Sequence, residues 1–263
     1  MTGVRNRPVA LVTGASSGIG EAFATALAAR GDDLVVVARR SDVLADLAST
    51  LVSAHGAEVE VIAADLATEA GVVAVAERLD DAHRPIELLV NNAGVGTMGK
   101  LWEIPVDREQ AEIALNVVAL VRLTHAALGP MVARGSGGVI NVSSISAYQP
   151  IPLHATYGAT KAFVSSFTNA VHEELRGTGV KAMALAPGYT RTGFQADGFD
   201  PKHLPDMVWQ QPEAVVATAL KSYDRGRAVC VTGALNVASV AVTSVLPAGL
   251  TRKVAGAITK RAY

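Results

Sequence analysis

The chain has 263 residues, of which half are apolar and 18% are charged. Its 23 basic and 24 acidic side chains nearly cancel, so nothing suggests long-range attraction to nucleic acid, and a small or neutral partner is favoured. The one cysteine cannot form an internal disulfide, and the N-terminus lacks an apolar run of signal-peptide length, so the expected compartment is the cytoplasm.

Apolar runs of strand length alternate along the chain with segments of helical spacing. The runs fall at 8–14, 33–39, 58–65, 86–94, 138–144, 180–188 and 228–233. The helical segments fall at 18–30, 41–55, 69–82, 107–133, 155–178 and 212–224. The apolar runs are continuous, which is typical of strands covered on both faces. The sequence therefore predicts one α/β domain over residues 1–263, with a doubly wound, seven-stranded parallel sheet and helices on both faces.

The stretch "ALVTGASSGIGEAF" places Gly14, Gly18 and Gly20 at the turn from the first strand into the first helix. Glycine lets a backbone approach a phosphate, and the start of a helix offers free N–H groups to an anion, so a pyrophosphate would fit. The spacing departs from the GxGxxG pattern of the general dinucleotide fold, and a tight strand-to-helix connection is the alternative. The order of strand, glycines and helix favours the phosphate interpretation.

Two arginines end the second strand, in "VVVARRSD". A site for the cofactor without a 2′-phosphate would place an acidic residue about twenty positions after the glycine turn. Arg39 and Arg40 stand there instead, and guanidinium groups suit a 2′-phosphate, so NADP(H) is favoured over NAD(H). The alternative is that both arginines are solvated residues at a helix start, with Asp42 as the helix cap.

A tyrosine and a lysine lie four residues apart in the segment "YGATKAF". On a helix this spacing puts Tyr157 and Lys161 on one face, about a turn apart. A hydrophobic core has no need of a phenol beside an ammonium group. The pair therefore indicates a functional site.

With these residues the chain resembles the short-chain dehydrogenase/reductase family in its Rossmann-like form. The matching motifs are TGASSGIG at 13–20, NNAG at 91–94, Asn116, the serine pair 143–144, YGATK at 157–161 and PGYTRT at 187–192. The resemblance covers residues 8–192, the expected cofactor-binding and catalytic core. After residue 193 the chain departs from the family's frequent short ending.

The resemblance implies four catalytic residues: Asn116, Ser144, Tyr157 and Lys161. Tyr157 would be the acid and base, because reduction of a carbonyl by hydride also requires a proton at the oxygen. Lys161 is expected to lower the pKa of Tyr157 and to hold the nicotinamide ribose. Ser144 would donate a hydrogen bond to the substrate oxygen, and Asn116 would hold a water that extends the proton relay.

The resemblance also implies a set of cofactor contacts at the carboxyl ends of the strands. The set is Gly14, Ser16, Ser17, Gly18, Ile19, Gly20, Arg39, Arg40, Asp65, Leu66, Asn92, Ala93, Gly94, Tyr157, Lys161, Pro187, Gly188, Thr190 and Thr192. Asp65 would contact the adenine amino group, with a role as helix N-cap as the alternative. Thr190 and Thr192 would meet the carboxamide and the phosphates. No metal site is expected, because His154 and His172 lack partners at ligand spacing.

Three segments would line the substrate side: 95–102, 145–154 and the long irregular stretch 193–211, a substrate loop able to close as a lid. Their large side chains are mostly apolar or aromatic: Met98, Trp102, Tyr148, Ile151, Phe194, Phe199, Met207 and Trp209. A mostly apolar small-molecule substrate is therefore expected.

The last part of the chain, 234–263, forms an apolar and basic C-terminal extension. Residues 228–251 carry no charge, which by length alone would suggest a membrane span. Glycine and proline within the stretch argue against one, and the first part serves as the seventh strand. The remainder is expected to form a helix buried in a subunit interface or over the substrate pocket. A peripheral membrane contact by the basic end is less favoured.

These observations predict an NADP-dependent oxidoreductase that interconverts a ketone or aldehyde and the corresponding alcohol, as a homodimer or homotetramer. A non-catalytic, NADP(H)-sensing binding protein on the same fold is the alternative, although such a protein need not retain the tyrosine. Epimerisation or dehydration is a third hypothesis, disfavoured because those relatives carry a substantial further domain.

Overall fold

The computed structural model describes residues 7–194, 205–246, 249 and 251–252. Seven parallel strands form one sheet in the order β3-β2-β1-β4-β5-β6-β7. The strands are β1 (Val9–Thr13), β2 (Asp33–Ala38), β3 (Val59–Ala63), β4 (Ile86–Asn91), β5 (Gly138–Val142), β6 (Lys181–Ala186) and β7 (Val229–Val231). The predicted seven-stranded, doubly wound fold is confirmed. The chain reverses its direction of winding between β1 and β4, where sheets of this kind bind ligands.

Both faces of the sheet are covered by helices, which explains why its strands are apolar without alternation. In β1, Ala10 and Val12 belong to the core on one face, while Val9 and Leu11 belong to the core on the other. All five residues of this strand are buried. Because successive side chains point to opposite faces, a strand needs apolar residues at every position when both faces are covered.

In the described part of the chain, eight named α-helices surround the sheet. They are α1 (Gly18–Arg30), α2 (Ser41–His55), α3 (Glu69–Leu79), α4 (Val106–Ile113), α5 (Leu120–Arg134), α6 (Ala155–Glu174), α7 (Pro212–Asp224) and α8 (Ala234–Val245). Residues of α1, α2 and α7 form one core with the sheet, and residues of α3, α5 and α6 form the other. The two layers bring the N-termini of α1 and α6 to the edge of the sheet that carries the glycine turn.

The single helix predicted over 107–133 is interrupted in the structure. A π-helical turn, Ala114–Ala119, separates α4 from α5 and carries Asn116. A π turn widens the helix locally and is frequent at functional sites. Periodicity alone misses it, because the apolar pattern continues through the turn. The same stretch, Val106–Arg134, is long and apolar enough to cross a membrane, but Leu123, Ala127 and Met131 are buried against the sheet, as in the core helix of a globular domain.

Two helix ends also differ from the prediction. Helix α3 ends at Leu79, before the predicted 82, and α6 ends at Glu174, before the predicted 178. After α6, Gly177 and Gly179 adopt φ angles of +80° and +82°. The C-cap, Leu175, keeps a right-handed conformation, and the two glycines turn the chain between the helix end and β6.

Helix α8 confirms the predicted helix after β7 but is not buried within the chain. It lies beside the 3₁₀ turn Ile145–Tyr148, on the predicted substrate side. The side chain of Asn236 faces inward and donates to the carbonyl oxygen of Thr232 at 2.7 Å. Leu235, Val237 and Val242 are about half exposed. Burial of this apolar surface by another subunit stays a prediction.

Candidate active site

The glycine turn has a shape that side chains would block. Gly14 and Gly18 have φ angles of +65° and +59°. A Cβ on Gly14 would lie 2.8 Å from Asn92 Nδ2, and one on Gly18 would lie 2.7 Å from the Cβ of Thr192. Helix α1 begins at Gly18, and Ser17 at its N-cap makes no side-chain capping bond. The turn therefore combines a narrow backbone cradle with uncapped N–H groups, a combination that suits a phosphate.

A groove of about 1000 Å³ opens beside this turn. It begins at Ser17, Gly18 and Thr192 and runs between α1 and α7. Residues of the turn after β1 and of the segment after β6 thus line the same groove, although strands β2 to β6 lie between them in the sequence.

The ends of β1 and β4 are tied together beneath the turn. The hydroxyl of Thr13 accepts from the backbone N–H groups of Asn92 and Ala93, each at 3.0 Å. The side chain of Asn92 donates to the carbonyl oxygens of Thr13 at 2.9 Å and Gly14 at 3.2 Å. The side-chain amide of Asn92 thus holds the glycine turn in place, and its N–H groups are used in bonds to backbone oxygens of β1 and the turn.

Arg39 and Arg40 are both exposed at the start of α2. The guanidinium of Arg40 donates to the backbone oxygen and the hydroxyl of Ser16, both at 3.1 Å. This places a positive group directly on the glycine turn. Arg40 itself is the N-cap residue of α2, and Asp42 lies in the first turn, so the alternative role of Asp42 as the cap is wrong.

Asp65 follows β3, where the resemblance expects the adenine contact. Its carboxylate accepts from the N–H of Ala67 at 3.0 Å. The N-cap of α3 is Thr68, whose hydroxyl accepts from Gly71 N–H, so the alternative assignment of Asp65 as N-cap is also wrong. The side chain of Leu66 is buried in the core beside it.

The residues 187–192 after β6 form an ordered loop over the turn. Pro187 accepts from the N–H of Ile145 at 3.0 Å, and Thr190 donates to the carbonyl oxygen of Gly188 at 3.0 Å. The hydroxyl of Thr192 accepts from Phe194 N–H while its methyl side packs on Gly18. Thr192 therefore lies against the glycine turn, whereas Thr190 is bonded within its own loop, to Gly188.

Ser144, Tyr157 and Lys161 come together although β5 and α6 supply them separately. The hydroxyl of Ser144 lies close enough to the phenol of Tyr157 to lower the pKa of that phenol. The amine of Lys161 lies 5.7 Å from the centroid of the Tyr157 ring and donates to the carbonyl oxygen of Val142 at 2.9 Å. Ser143 points elsewhere, because its hydroxyl donates to the backbone oxygen of Lys161 at 2.8 Å. Of the two serines, only Ser144 thus meets the tyrosine.

The electrostatics of this group are dominated by burial. Burial raises the pKa of Tyr157 to about 12, against a lowering contribution from the Ser144 hydroxyl. Burial likewise lowers the pKa of Lys161 to about 8, and only an ionised Glu112 would oppose that shift. Burial is thus the largest cause of both pKa shifts. The expectation that Lys161 lowers the pKa of Tyr157 stays a prediction.

Asn116 is buried and fully engaged with the chain. Its Oδ1 accepts from Val95 N–H at 3.0 Å, and its Nδ2 donates to the Val95 carbonyl oxygen at 2.9 Å and to the hydroxyl of Thr160 at 3.2 Å. A Cβ on Gly94 would lie 3.1 Å from Asn116 Oδ1 and 3.4 Å from Lys161 Nζ. Asn116 and Lys161 thus flank the backbone of the NNAG motif.

The side chains of the predicted substrate side differ in how close they lie to Tyr157 and in how exposed they are. The ring of Phe194 lies 5.8 Å from that of Tyr157, centroid to centroid, and therefore borders the site. Trp102 is 81% exposed and Met207 is 73% exposed, so neither lines a pocket in this structure. Trp209 packs on Tyr189 and under the guanidinium of Arg191. Phe199 lies outside the described residues.

Sequence reasoning missed a buried polar cluster next to these residues. Glu109 and Glu112 of α4 both contact the hydroxyl of Thr97, and the ring of His154 meets that of Tyr157 edge-on, with 6.1 Å between the centroids. One signal was available, since Glu112 precedes Asn116 by four residues and so shares its helical face. Within the described ranges, no three His, Cys, Asp or Glu residues group closely enough to hold a metal ion.

Comparison with known proteins relates this geometry to a family. The family model described as "short chain dehydrogenase" matches residues 8–202. A 3-oxoacyl-[acyl-carrier-protein] reductase of Synechocystis sp. is 36% identical over 213 residues, which are 80% of this chain and 86% of the relative.

Two solved structures share the fold at comparable coverage. A short-chain dehydrogenase from Sphingobium yanoikuyae in complex with NADPH has a TM-score of 0.82 and 35% identity, covering 91% of this chain and 96% of the other. A short-chain dehydrogenase/reductase from Burkholderia phymatum in complex with NAD has a TM-score of 0.78 and 26% identity, covering 89% and 92%. The motifs, the sheet order and these matches agree: the chain belongs to the short-chain dehydrogenase family of oxidoreductases.

Proposed function

We propose that the protein is an NADP(H)-dependent oxidoreductase that interconverts a carbonyl and an alcohol on a mostly apolar small molecule. The observation that carries this proposal is the phenol of Tyr157, which lies beside the hydroxyl of Ser144 and has the amine of Lys161 beside its ring. These groups stand at the carboxyl edge of the sheet, next to the glycine turn.

The residues at that edge fit a nicotinamide dinucleotide. The cradle formed by Gly14, Gly18 and Gly20 is one that a Cβ would fill, and uncapped N–H groups of α1 face it. Thr192 would hold the phosphates together with this turn, and Lys161 would hold the ribose next to the nicotinamide. When bound, the cofactor supplies or accepts the hydride.

Ser144 and Tyr157 would orient the substrate carbonyl, and Tyr157 would transfer the proton to its oxygen. The hydroxyl of Ser144 and the phenol of Tyr157 would both donate to the carbonyl oxygen of the substrate, which orients the carbonyl and polarises it. Because burial raises the pKa of Tyr157 to about 12, the phenol keeps its proton at neutral pH and can give it to the oxygen during reduction. In oxidation the same oxygen would take the proton back.

A preference for NADP(H) is supported by Arg39 and Arg40. Both side chains are exposed, and Arg40 is already bonded to Ser16 in the glycine turn, so a 2′-phosphate there would meet two guanidinium groups. The similar chains include one solved with NADPH and one solved with NAD, so the preference has to come from this chain's own residues.

An apolar substrate is supported by the surroundings of Tyr157. The ring of Phe194 lies against it, and Met98, Tyr148 and Ile151 are each partly buried in the segments expected to line the substrate side. Apolar walls reward the burial of apolar surface and offer few partners for a charged group.

Self-association is proposed from exposed apolar surface on α4 to α6. Ile113, Val118 and Phe163 are 44%, 50% and 42% exposed, and a shallow cavity of about 390 Å³ lies between α4 and α6. A homodimer would bury this surface. Light scattering of wild type and Phe163→Ser tests it, since a wild-type monomer would contradict the proposal.

The test of the function is titration of the protein with NADPH and NADH, followed by turnover of a panel of apolar ketones and aldehydes. Tight binding of NADPH with turnover of a panel member, abolished in Tyr157→Phe, is the expected result. Tight binding with turnover that survives unchanged in Tyr157→Phe would overturn the proposed mechanism. Tight binding without turnover of any member would favour the cofactor-sensing alternative.

A further inference from the structure

Two glutamates of α4 form a buried carboxyl pair beside the proposed catalytic residues. Glu109 is 7% exposed and Glu112 is fully buried. Both face Thr97, in the loop that follows β4. The hydroxyl oxygen of Thr97 lies 2.6 Å from Glu109 Oε1 and 2.7 Å from Glu112 Oε2, and the N–H of Thr97 donates to Glu112 Oε2 at 2.8 Å.

Glu109 and Glu112 cannot both be ionised in this arrangement, because Thr97 has only one hydroxyl hydrogen for its two carboxyl contacts. A threonine hydroxyl has one hydrogen and can donate it to one acceptor. Both oxygen–oxygen distances are those of hydrogen bonds, so one carboxyl must itself be the donor to Thr97. If both glutamates were ionised, the hydroxyl oxygen of Thr97 and one carboxylate oxygen would lie at hydrogen-bond distance with no hydrogen between them.

The contacts identify Glu112 as the protonated member. Glu109 accepts from Thr97 and, through its second oxygen, from the hydroxyl of Thr156, so it can carry the negative charge with both oxygens bonded. Glu112 Oε1 is buried without a hydrogen-bond partner among the described residues. A bare oxygen costs much less on a neutral carboxyl than on a carboxylate. Burial, and secondarily the charge of Glu109, also raise the pKa of Glu112 against its bonds to Thr97 and the attraction of Lys161.

Glu112 is linked to the reaction centre through the loop 95–97. Asn116 holds Val95 by both backbone groups, and Glu112, one turn earlier, holds Thr97. Gly96 lies between these two anchors, and a Cβ there would sit 3.2 Å from the Tyr157 ring. The loop that covers the tyrosine ring is therefore fixed by one face of α4 and the π turn.

We propose that Glu112 is a positioning residue which holds a proton at neutral pH and, through Thr97, fixes the loop 95–97 against Tyr157. The proposal rests on the proposed function for its effect on turnover. The titratable and charged groups around Glu112 are Glu109 on its own helix, Lys161 and Tyr157 on α6, and His154 before α6, whose ring meets that of Tyr157 edge-on. Loss of the proton removes the donor to Thr97 and places a second negative charge in the cluster. The loop then loosens, and turnover falls as the pH rises.

The first experiment detects the proton without any substrate. Infrared difference spectra of the full-length protein, recorded during a pH titration, should show the carbonyl stretch of a protonated carboxyl disappearing at alkaline pH. The band should be absent in Glu112→Gln and present in the control Glu173→Gln, which changes an exposed glutamate paired with Arg176. A band that persists in Glu112→Gln would overturn the assignment of the proton.

The second experiment tests the link to turnover. Glu112→Ala should lower kcat by about 10-fold or more without weakening NADPH binding, because the loop loses its anchor. Glu112→Gln should recover most of that loss and should lack the alkaline decline assigned to Glu112, because its amide stays neutral at every pH and its oxygen can still accept from the N–H of Thr97. Thr97→Val, which keeps the shape and removes the hydroxyl, should resemble Glu112→Ala. Identical pH profiles for wild type and Glu112→Gln would overturn the coupling, whereas an inactive wild type would overturn the proposed function and leave the infrared result to decide the proton.

Discussion

The amine of Lys161 donates to the carbonyl oxygen of Val142 at 2.9 Å while lying 5.7 Å from the centre of the Tyr157 ring. The lysine is therefore anchored to the end of β5 and held beside the tyrosine by a backbone bond. Its position does not depend on an ion pair with the phenol. Because the lysine does not need the phenol to hold its position, mutation of Tyr157 can test proton transfer and mutation of Lys161 can test the buried charge separately.

Removal of the phenol should abolish proton transfer and leave the cofactor site intact. We expect Tyr157→Phe to lower kcat by about 100- to 10,000-fold, the usual contribution of general acid–base catalysis. Steady-state kinetics and NADPH fluorescence titration measure the two effects. The control is Tyr223→Phe, which removes a phenol that lies against Gly138 and Lys181 on the opposite face of the sheet. A large loss in the control would show that the effect is not specific to Tyr157.

The buried amine of Lys161 should make stability depend on pH. Its pKa is lowered from 10.5 to about 8, so between these values the unfolded chain binds this proton more tightly than the folded chain does. The free energy of unfolding should therefore rise with pH across that window, by an amount on the order of 3 kcal/mol for the full shift. Urea unfolding of wild type and Lys161→Met at matched pH values measures the difference. Equal slopes in the two proteins would contradict the buried, titrating lysine.

Two glycine substitutions should act in opposite directions. A Cβ on Gly20 would overlap the carbonyl oxygen of Gly14 and lie 2.5 Å from Asn92 Nδ2, so Gly20→Ala should destabilise the fold by about 1–3 kcal/mol and weaken cofactor binding. Gly158 lies within α6, and a Cβ there would have its nearest neighbour, Ser146 O, at 3.6 Å. Gly158→Ala should stabilise the fold by about 0.5–1 kcal/mol. Denaturant unfolding compares both with wild type, and a stabilising Gly20→Ala would refute the cradle geometry.

Cofactor preference should depend on the two arginines at the start of α2. Each charge-assisted hydrogen bond to a 2′-phosphate contributes about 1.5–3 kcal/mol, so Arg39→Ala and Arg40→Ala should each raise the Kd for NADPH by about 10- to 100-fold. The Kd for NADH should stay the same. Arg30→Ala is the control, because Arg30 is exposed and pairs with Asp224 away from the turn. Equal losses for NADPH and NADH would mean that these arginines support the turn itself.

Local features of the sequence predicted the architecture because they act over short distances. Continuous apolar runs reflect burial on both faces, helical spacing reflects one buried face, and the glycine turn reflects dihedral angles that only glycine adopts easily. The i, i+4 spacing of Tyr157 and Lys161 likewise follows from helix geometry. These inferences needed no knowledge of which elements are neighbours in space.

Contacts between distant segments decided the rest. The exposure of Trp102 and Met207 and the π turn at Asn116 both depend on what packs against each residue. So do the pKa values of Tyr157 and Lys161, for which burial is the largest cause of the shift. Glu109 and Glu112 show this most clearly, because acidic residues on a helix are usually solvated. Only the tertiary structure places Thr97 between them and excludes the water that would otherwise let both carboxyls ionise.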